Sequence, residues 1–343
     1  MYVLGVDGGT TKTIALVADQ TGRILSAARG GGSNWTGEDV AVPMVVVVST
    51  VREALRISGL TGDDISVGMF ALAGADWPED HTRREDVLNG AGLARRLTVK
   101  NDTFAGMRAG LRTPYGMVLA AGTGMNAAVI TPDGREWAFG YYDTLGGAGT
   151  IARAAFVAVL RAEDGRGQLT MLTQMLLRHL GHLSVEAMLR ASVKRQLDDG
   201  RFYAIPPLVF QAALEGDAVA AEILVRYGEG LAEYATAMVR RYGMCDKEFD
   251  VVLAGSVFKG VGPLLIDTIT QEIHQVAPKA RIVRARFEPA VGSVLLAYDA
   301  LGIAVSDEMY SRLAETLPAA ELFDTSRGER PAPTRGEDHE EGA

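Results

Sequence analysis

The sequence predicts an α/β protein made of two duplicated halves, and three observations carry that prediction. Residues 2–28 read as three short apolar strands joined by glycine turns, which is the pattern of an antiparallel meander. The same pattern recurs over residues 117–139. The interval from Gly9 to the second glycine turn is 13 residues, and the interval from Gly122 to its counterpart is 12. A duplicated unit is the simplest account of this match.

The segment between the two hairpins predicts one helix and two buried strands. Residues 42–60 carry apolar side chains at helical spacing, although the β-branched run Val45–Val48 by itself favours a strand. Residues 65–72 and 97–100 read as short buried strands. A helix is expected to begin near Thr103.

The second half adds a long amphipathic helix and a further strand. Apolar residues recur every three or four positions over 219–242, and the strand 249–253 follows. Residues 325–343 are rich in Arg, Glu, Pro and Gly without periodicity, so they are expected to form a disordered tail.

Composition restricts the classes of function. The chain has 343 residues and a net charge of −9, which suits about two domains and gives no support to a nucleic-acid or anionic-membrane partner. The single cysteine, Cys245, excludes a disulfide or an iron–sulfur cluster held by this chain alone. The first residues are unlike a secretory signal, and the densest apolar run, 40–48, is about half the length of a membrane span. We expect a cytoplasmic protein.

Three glycine turns could bind phosphate, because they expose backbone N–H groups without side chains in the way. They are Gly8–Thr11, Gly122–Gly124 and Gly255–Ser256. No P-loop is present, since Thr11 rather than glycine precedes Lys12. Gly122-x-Gly124 leads into an apolar strand instead of a helix, which argues against a dinucleotide site. Each turn alone could be a tight hairpin without a ligand.

As an ordered set, these motifs resemble the BadF/BadG/BcrA/BcrD ATPase family, in its N-acetylglucosamine kinase-like branch of the actin-like ATPase and sugar kinase superfamily. The resembling stretches are Gly5–Thr13, Gly32–Trp35, Leu72–Asp76, Asn101–Thr103, Gly122–Asn126, Ala254–Val257 and Ala290–Ser293. The resemblance implies an actin-like, ribonuclease H-like fold with two duplicated domains around a nucleotide cleft. The expected boundaries are 1–114 on the sugar side, 115–303 on the nucleotide side and 304–343 as an extension.

The resemblance also implies an ATP site and a magnesium ion. The implied nucleotide-binding residues are Gly8, Gly9, Thr10, Thr11, Lys12, Gly122, Thr123, Gly124, Gly255 and Ser256. Asp7, at the end of the first strand, would organise Mg²⁺, which prefers oxygen ligands and keeps several waters. The alternative is that Asp7 only caps the glycine turn through an Asx-type hydrogen bond.

Asp102 is the expected catalytic base, since the family places its base at this position. In a kinase this carboxylate orients the acceptor hydroxyl and takes its proton late. The alternative is a helix N-cap, for which aspartate is also suited. Asn34 and Asn126, together with Asp102, are the expected sugar contacts, because an amide both donates and accepts hydrogen bonds. The alternative for Asn34 is a local loop turn.

The expected activity is transfer of the ATP γ-phosphoryl group to a hydroxyl of an N-acetylglucosamine-like amino sugar, at its 6-hydroxyl. One departure concerns the acceptor: Gly147-Ala148 stands where the branch has an acidic pair that binds sugar hydroxyls, and Asp143 is a conceivable substitute. The alternatives are an ATPase activator of a CoA-thioester reductase or dehydratase, and a non-catalytic nucleotide or sugar sensor. The sugar and the oligomeric state stay open, with a homodimer as one option.

Overall fold

In the computed structural model, described over residues 1–34 and 41–323, glycine turns and buried apolar runs organise two α/β units. The strands are β1 Tyr2–Gly8, β2 Thr13–Asp19, β3 Ile24–Gly30, β4 Ile65–Leu72, β5 Leu97–Lys100, β6 Gly116–Ala121, β7 Met125–Ile130, β8 Glu136–Ala138, β9 Phe249–Ala254 and β10 Ala280–Arg284. The helices are α1 Ala41–Ser58, α2 Pro78–Gly90, α3 Asp102–Arg108, α4 Ala148–Glu163, α5 Leu172–Leu180, α6 Val185–Val193, α7 Asp199–Tyr203, α8 Pro206–Leu214, α9 Ala218–Tyr242, α10 Leu264–His274, α11 Pro289–Ala300 and α12 Asp307–Glu315.

The two sheets have the same topology. The first has the order β3-β2-β1-β4-β5 and the second has β8-β7-β6-β9-β10. In both, the first three strands are antiparallel, the fourth pairs in parallel with the first, and the fifth pairs in parallel with the fourth. The duplication expected from the hairpins is therefore confirmed, and with it the ribonuclease H-like arrangement of each half.

Unit 1 comprises residues 1–105 and the chain from Glu288 onward. Strand β1 lies at its centre, with Leu4 and Val6 in one apolar cluster with residues of α1. On alternate positions the strand meets α11, and a Cβ on Gly5 would lie 2.5 Å from the backbone nitrogen of Val294. Glycine at this position lets α11 pack directly on the strand.

The helix predicted over 42–60 forms as α1, and the β-branched run does not turn it into a strand. Val47 and Val51 are fully buried with Met44, so one helical face supplies core contacts that outweigh the local propensity. Val45 is 66% exposed on the other side of the helix.

Unit 2 comprises residues 106–287. Between its third and fourth strands it carries six helices, α4 to α9, of which α9 is the long amphipathic helix predicted from the sequence. Side chains of β6 and β7 share one apolar core with α4 and α9. The unit therefore holds the turn between β6 and β7 on a sheet that is covered by helices.

Two sequence expectations concern other parts of the chain. The expected domain boundaries 1–114, 115–303 and 304–343 differ from the bounds of the two compact units, and they stay a prediction. Trp35 and the expected tail 325–343 lie outside the described residues. Among the residues that are described, no helix is long and apolar enough to cross a membrane.

Candidate active site

Asp7 lies near the carboxyl end of a largely buried strand, and its carboxylate accepts no hydrogen bond from the described residues. It is the penultimate residue of β1 and is 9% exposed. Within residues 1–34 and 41–323, no hydrogen bond to its carboxylate is formed. The glycine turn that follows is closed by the backbone instead, with the Gly9 N–H donating to the Lys12 carbonyl at 2.9 Å. The Asx-type cap considered from the sequence is therefore not what Asp7 does in this structure.

The surroundings of Asp7 favour its neutral form. Burial is the main cause, followed by the negative charge of Asp102, and together they raise the pKa of Asp7 to about 7. The Lys12 ammonium opposes this rise and Glu288 adds to it. An unpaired buried carboxyl oxygen beside other carboxylates is the kind of donor that a magnesium ion accepts. In the described part of the chain, no three Asp, Glu, His or Cys side chains gather as a ready-made metal cluster. Asp7 therefore fits an ion whose other ligands are water and phosphate.

Asp102 is the first residue of α3, directly after the edge strand β5. Its neighbour Asn101 supplies the helix cap, since the Asn101 Oδ1 accepts from the Thr103 N–H at 3.0 Å. The amide of Asn101 in turn donates to Asp76 Oδ1 at 2.7 Å. The cap role considered for Asp102 thus belongs to Asn101, and the Asp102 carboxylate does not serve as the N-cap.

The electrostatics of Asp102 match a general base near neutral pH. Burial raises its pKa to about 6, and the charge of Asp76 adds to the rise. Backbone N–H groups of Thr103 and of Asp102 itself act in the opposite direction. A base with this pKa is unprotonated at pH 7 by about ten to one, yet it is still basic enough to accept a proton.

The first glycine turn is packed against the segment that carries Asn34. The Ser33 N–H donates to the Gly9 carbonyl at 2.9 Å, and the Asn34 amide donates to Thr10 Oγ1 at 3.0 Å. A Cβ on Gly32 would lie less than 3.0 Å from the Thr10 carbonyl, so only glycine allows this approach. The structure therefore brings together the expected sugar contact Asn34 and the expected phosphate contact Thr10.

Lys12 has an unexpected partner. Its ammonium donates to the carbonyl of Phe323, which follows a short 3₁₀ turn, Ala320–Leu322. Arg29 donates to the neighbouring Leu322 carbonyl at 2.9 Å. The phosphate role of Lys12 stays a prediction, and its backbone partner lies 311 residues away in the chain.

In unit 2, the second and third glycine turns are neighbours. Gly122 follows β6 and Gly255 follows β9, the parallel strand beside it. A Cβ on Gly122 would lie 3.7 Å from Ser256 Oγ. Gly255 has a φ of 100°, and a Cβ there would lie less than 3.0 Å from the backbone of Ala121. Two of the three predicted turns therefore form one surface.

Asn126 supports the backbone near this surface. Its Oδ1 accepts from the Gly140 N–H at 3.0 Å and from the Ala127 N–H at 2.8 Å. The sugar contact expected of Asn126 stays a prediction. In unit 1, Asp76 and Glu288 are acidic groups near the expected site that were not predicted from the sequence to have a role. Asp76 could have been predicted, because it follows the carboxyl end of β4, the parallel strand between β1, which carries Asp7, and β5, which precedes Asp102.

Comparison with known proteins identifies the family. The model of the BadF/BadG/BcrA/BcrD ATPase family matches residues 4–297. The chain belongs to this family. The actin-like ATPase fold expected from the resemblance is thereby confirmed, and structures of related fold agree with it.

Relatives of this ATPase family member cover nearly its whole length. It is 25% identical over 300 residues to the N-acetylmuramic acid/N-acetylglucosamine kinase of Clostridium acetobutylicum, covering 86% of this chain and 98% of the relative. It is 27% identical over 315 residues to the N-acetyl-D-glucosamine kinase of Dictyostelium discoideum, covering 86% and 97%. A structure from Chromobacterium violaceum, assigned as an N-acetylglucosamine kinase, has a TM-score of 0.65 at 25% identity over 86% and 98% of the two chains.

Proposed function

We propose that this chain is an ATP-dependent kinase that transfers the γ-phosphoryl group to a hydroxyl of an amino sugar of the N-acetylglucosamine type, at the 6-hydroxyl. The observation that carries the proposal is Asp102. It follows the carboxyl end of a parallel strand, its neighbour Asn101 does the capping, and its pKa lies near 6. Each of these properties suits a base that accepts a hydroxyl proton at neutral pH.

The chemistry divides among named residues. The Asp102 carboxylate orients the acceptor hydroxyl and takes its proton as the phosphoryl group transfers. The backbone N–H groups of the glycine turns that do not close the turns themselves bind phosphate oxygens, and Thr10, Thr11 and Lys12 supply further donors. Asn34 contacts the sugar beside Thr10. How the nucleotide is shared between the two units stays a prediction.

ATP is the phosphoryl donor, as the family implies, and Mg²⁺ is proposed as its companion. Asp7 would hold the ion through its carboxylate oxygen, since that oxygen is buried and accepts no hydrogen bond from the described residues. When bound, the ion neutralises charge on the transferring phosphates. A cation at Asp7 also removes the electrostatic cost that Asp102 and Glu288 impose on the ionised carboxylate.

The two alternative functions require other residues than a kinase does. An activator of a CoA-thioester reductase or dehydratase bridges an iron–sulfur cluster with paired cysteines, whereas this sequence has only Cys245, which is partly buried. A non-catalytic sensor does not need a base, and Asp102 would then have no reason to be held in a site that raises its pKa. Both observations favour the kinase.

An ADP-release assay with Mg-ATP tests the proposal. The acceptors are N-acetylglucosamine, N-acetylmuramic acid, glucosamine, N-acetylmannosamine and glucose. We expect sugar-dependent ADP release with at least one N-acetylated amino sugar, and loss of that release in Asp102→Asn. Binding of ATP and sugar without turnover would favour a sensor. A brown, iron-containing protein would favour the activator. The cytoplasmic location and a homodimeric state stay predictions.

A further inference from the structure

We infer that the loop Asp143–Ala148 positions the phosphate turn Gly122–Gly124, with Asp143 and Tyr234 as positioning residues. The inference rests on the proposed function in one respect, namely that this turn binds nucleotide phosphate. The loop contains Gly147-Ala148, which stand where the related kinases have an acidic pair that binds the sugar. We assign the loop a role in nucleotide binding instead.

The first observation is the contact between Gly147 and the turn. A Cβ on Gly147 would lie less than 3.0 Å from three backbone oxygens at once, those of Gly122, Thr123 and Gly124. The φ of Gly147 is −87°, so no positive φ requires glycine at this position, whereas the close approach to the three oxygens does. The next residue completes the contact, since the Ala148 N–H donates to the Gly122 carbonyl at 2.8 Å.

These contacts act on the carbonyl side of the turn. The turn itself is closed by the Gly122 N–H, which donates to the Gly124 carbonyl at 2.9 Å. Thr123 and Gly124 are exposed. The loop therefore packs against the carbonyl oxygens of the turn, and a shift of the loop would move all three carbonyls together.

The second observation is that Asp143 holds the loop in shape. Its Oδ1 accepts from the Leu145 N–H at 2.9 Å and from the Gly146 N–H at 3.2 Å. The same oxygen accepts from the Tyr234 hydroxyl at 3.0 Å. Asp143 is the residue that could have replaced the missing acidic pair as a sugar ligand, and in this structure its carboxylate is committed to the loop.

The third observation is that helix α9 anchors the loop through two tyrosines. The Tyr234 hydroxyl also accepts from the Thr144 N–H at 2.9 Å. Two helical turns earlier, the Tyr227 hydroxyl donates to the Gly146 carbonyl at 3.0 Å. The two tyrosines are 8% and 4% exposed, so buried side chains of a long helix make these hydrogen bonds to the loop.

The chain of contacts thus runs from α9 through Asp143 to Gly147 and on to the phosphate turn. This contact limits which residues can occupy position 147. An aspartate at position 147 would place its Cβ against the three turn carbonyls, so Gly147→Asp with Ala148→Glu should damage nucleotide binding in this chain and not restore a sugar contact.

Three variants test the inference: Tyr234→Phe, Asp143→Ala and Gly147→Ala. Asp143→Asn is the conservative partner, since its amide oxygen can still accept from the Leu145 and Gly146 N–H groups. The matched control is Tyr298→Phe in unit 1, which likewise removes the hydroxyl of a buried tyrosine; that hydroxyl donates to the backbone carbonyl of Asp19. Each protein is measured for hydrogen–deuterium exchange of the peptide covering 119–127 without nucleotide, for affinity towards Mg-AMP-PNP, and for the two Michaelis constants.

We expect faster exchange of that peptide in Tyr234→Phe and Asp143→Ala, and an affinity for Mg-AMP-PNP weaker by about three- to tenfold, which is the size of the net contribution of about one hydrogen bond. The KM for ATP should rise while the KM for the sugar stays within about twofold. Asp143→Asn should lie closer to the parent, and Tyr298→Phe should change none of these quantities. If Gly147→Ala does not fold, the other variants still decide.

Unchanged exchange in folded Tyr234→Phe and Asp143→Ala overturns the inference, whatever the nucleotide affinity. A rise in the sugar KM alone also overturns it and returns the loop to the acceptor. If the parent protein binds no Mg-AMP-PNP, the proposed function fails by that measurement, and the nucleotide part of the inference fails with it, whereas the exchange data report on the loop separately.

Discussion

Replacing Asp7 by asparagine should make the free protein more stable while abolishing its activity. The Asp7 carboxylate is buried, receives no hydrogen bond from the described residues, and lies near the negative charges of Asp102 and Glu288. An asparagine has nearly the same shape and carries no charge. The substitution therefore removes the electrostatic cost but also removes the proposed magnesium ligand.

The magnitude follows from the pKa of Asp7, which rises from its ordinary value of 3.8 to about 7. The folded protein binds this proton more tightly than the unfolded chain, so the free energy of unfolding falls as the pH rises through that interval. The loss is complete above about pH 7 and amounts to roughly 4 kcal/mol as an upper bound. With an unfolding entropy of about 0.7 kcal/mol per kelvin for a chain of this length, that is a Tm difference of up to about 6 °C.

The assay is thermal unfolding of the parent and Asp7→Asn at pH 5 and pH 8, without magnesium or nucleotide. The variant should have the higher Tm at pH 8, and the difference should shrink at pH 5. Adding Mg-AMP-PNP should raise the Tm of the parent more than that of the variant, since only the parent retains the carboxylate.

A matched control is Asp217→Asn. Asp217 is also buried, but its carboxylate accepts from the Thr170 hydroxyl, the Met171 N–H and the Ala220 N–H, so asparagine should lower the Tm there. If Asp7→Asn lowers the Tm at pH 8 as Asp217→Asn does, the carboxylate of Asp7 is held by favourable interactions and the reasoning is refuted.

Three further predictions concern turnover and nucleotide binding. Asp102→Asn should fold and retain its nucleotide affinity but lower kcat by about 10²–10⁴-fold, and near-normal turnover would exclude Asp102 as the base. In the parent, kcat/KM for the sugar should fall about tenfold per unit below pH 6, and Asp76→Asn should move that limb to lower pH because it removes a charge that raises the pKa of Asp102. Gly124→Val should fold normally, since a Cβ there meets no atom within 4 Å, yet it should bind Mg-AMP-PNP at least about tenfold more weakly. The control Gly90→Val should bind it with unchanged affinity. If calorimetry shows unchanged affinity for Gly124→Val as well, this turn is not part of the nucleotide site.

Elements defined by local pattern were predictable from the sequence. The hairpins follow from apolar runs interrupted by glycine turns, and α9 follows from side chains repeated at helical spacing. The helix α1 was predictable only because its apolar stripe outweighs the β-branched run Val45–Val48. The equal strand order of the two sheets was suggested by the similar spacing of their turns.

Features that depend on contacts between distant residues were not predictable. Asn101 rather than Asp102 caps α3, and the amide of Asn101 is bound to Asp76, which lies 25 residues away in the chain. The partner of Lys12 is a backbone carbonyl near the other end of the chain. No local pattern carries such information, because the pairing arises only when the unit has folded.

The glycines of the candidate site show how structure separates the demands of folding from those of a ligand. At Gly8, a Cβ would lie 2.5 Å from Ser33 Oγ and 2.6 Å from Leu72 Cδ2, and Gly255 has a positive φ, so the fold itself requires glycine at both positions. At Gly9 the nearest atom would be 3.6 Å away, and at Gly124 there is none within 4 Å. Glycine at such positions costs about 0.4–1 kcal/mol of stability through the freedom of the unfolded chain, and nothing in the described structure compensates for it. A ligand that approaches the backbone closely would compensate for this cost. A phosphate group bound by exposed backbone N–H donors makes such a close approach.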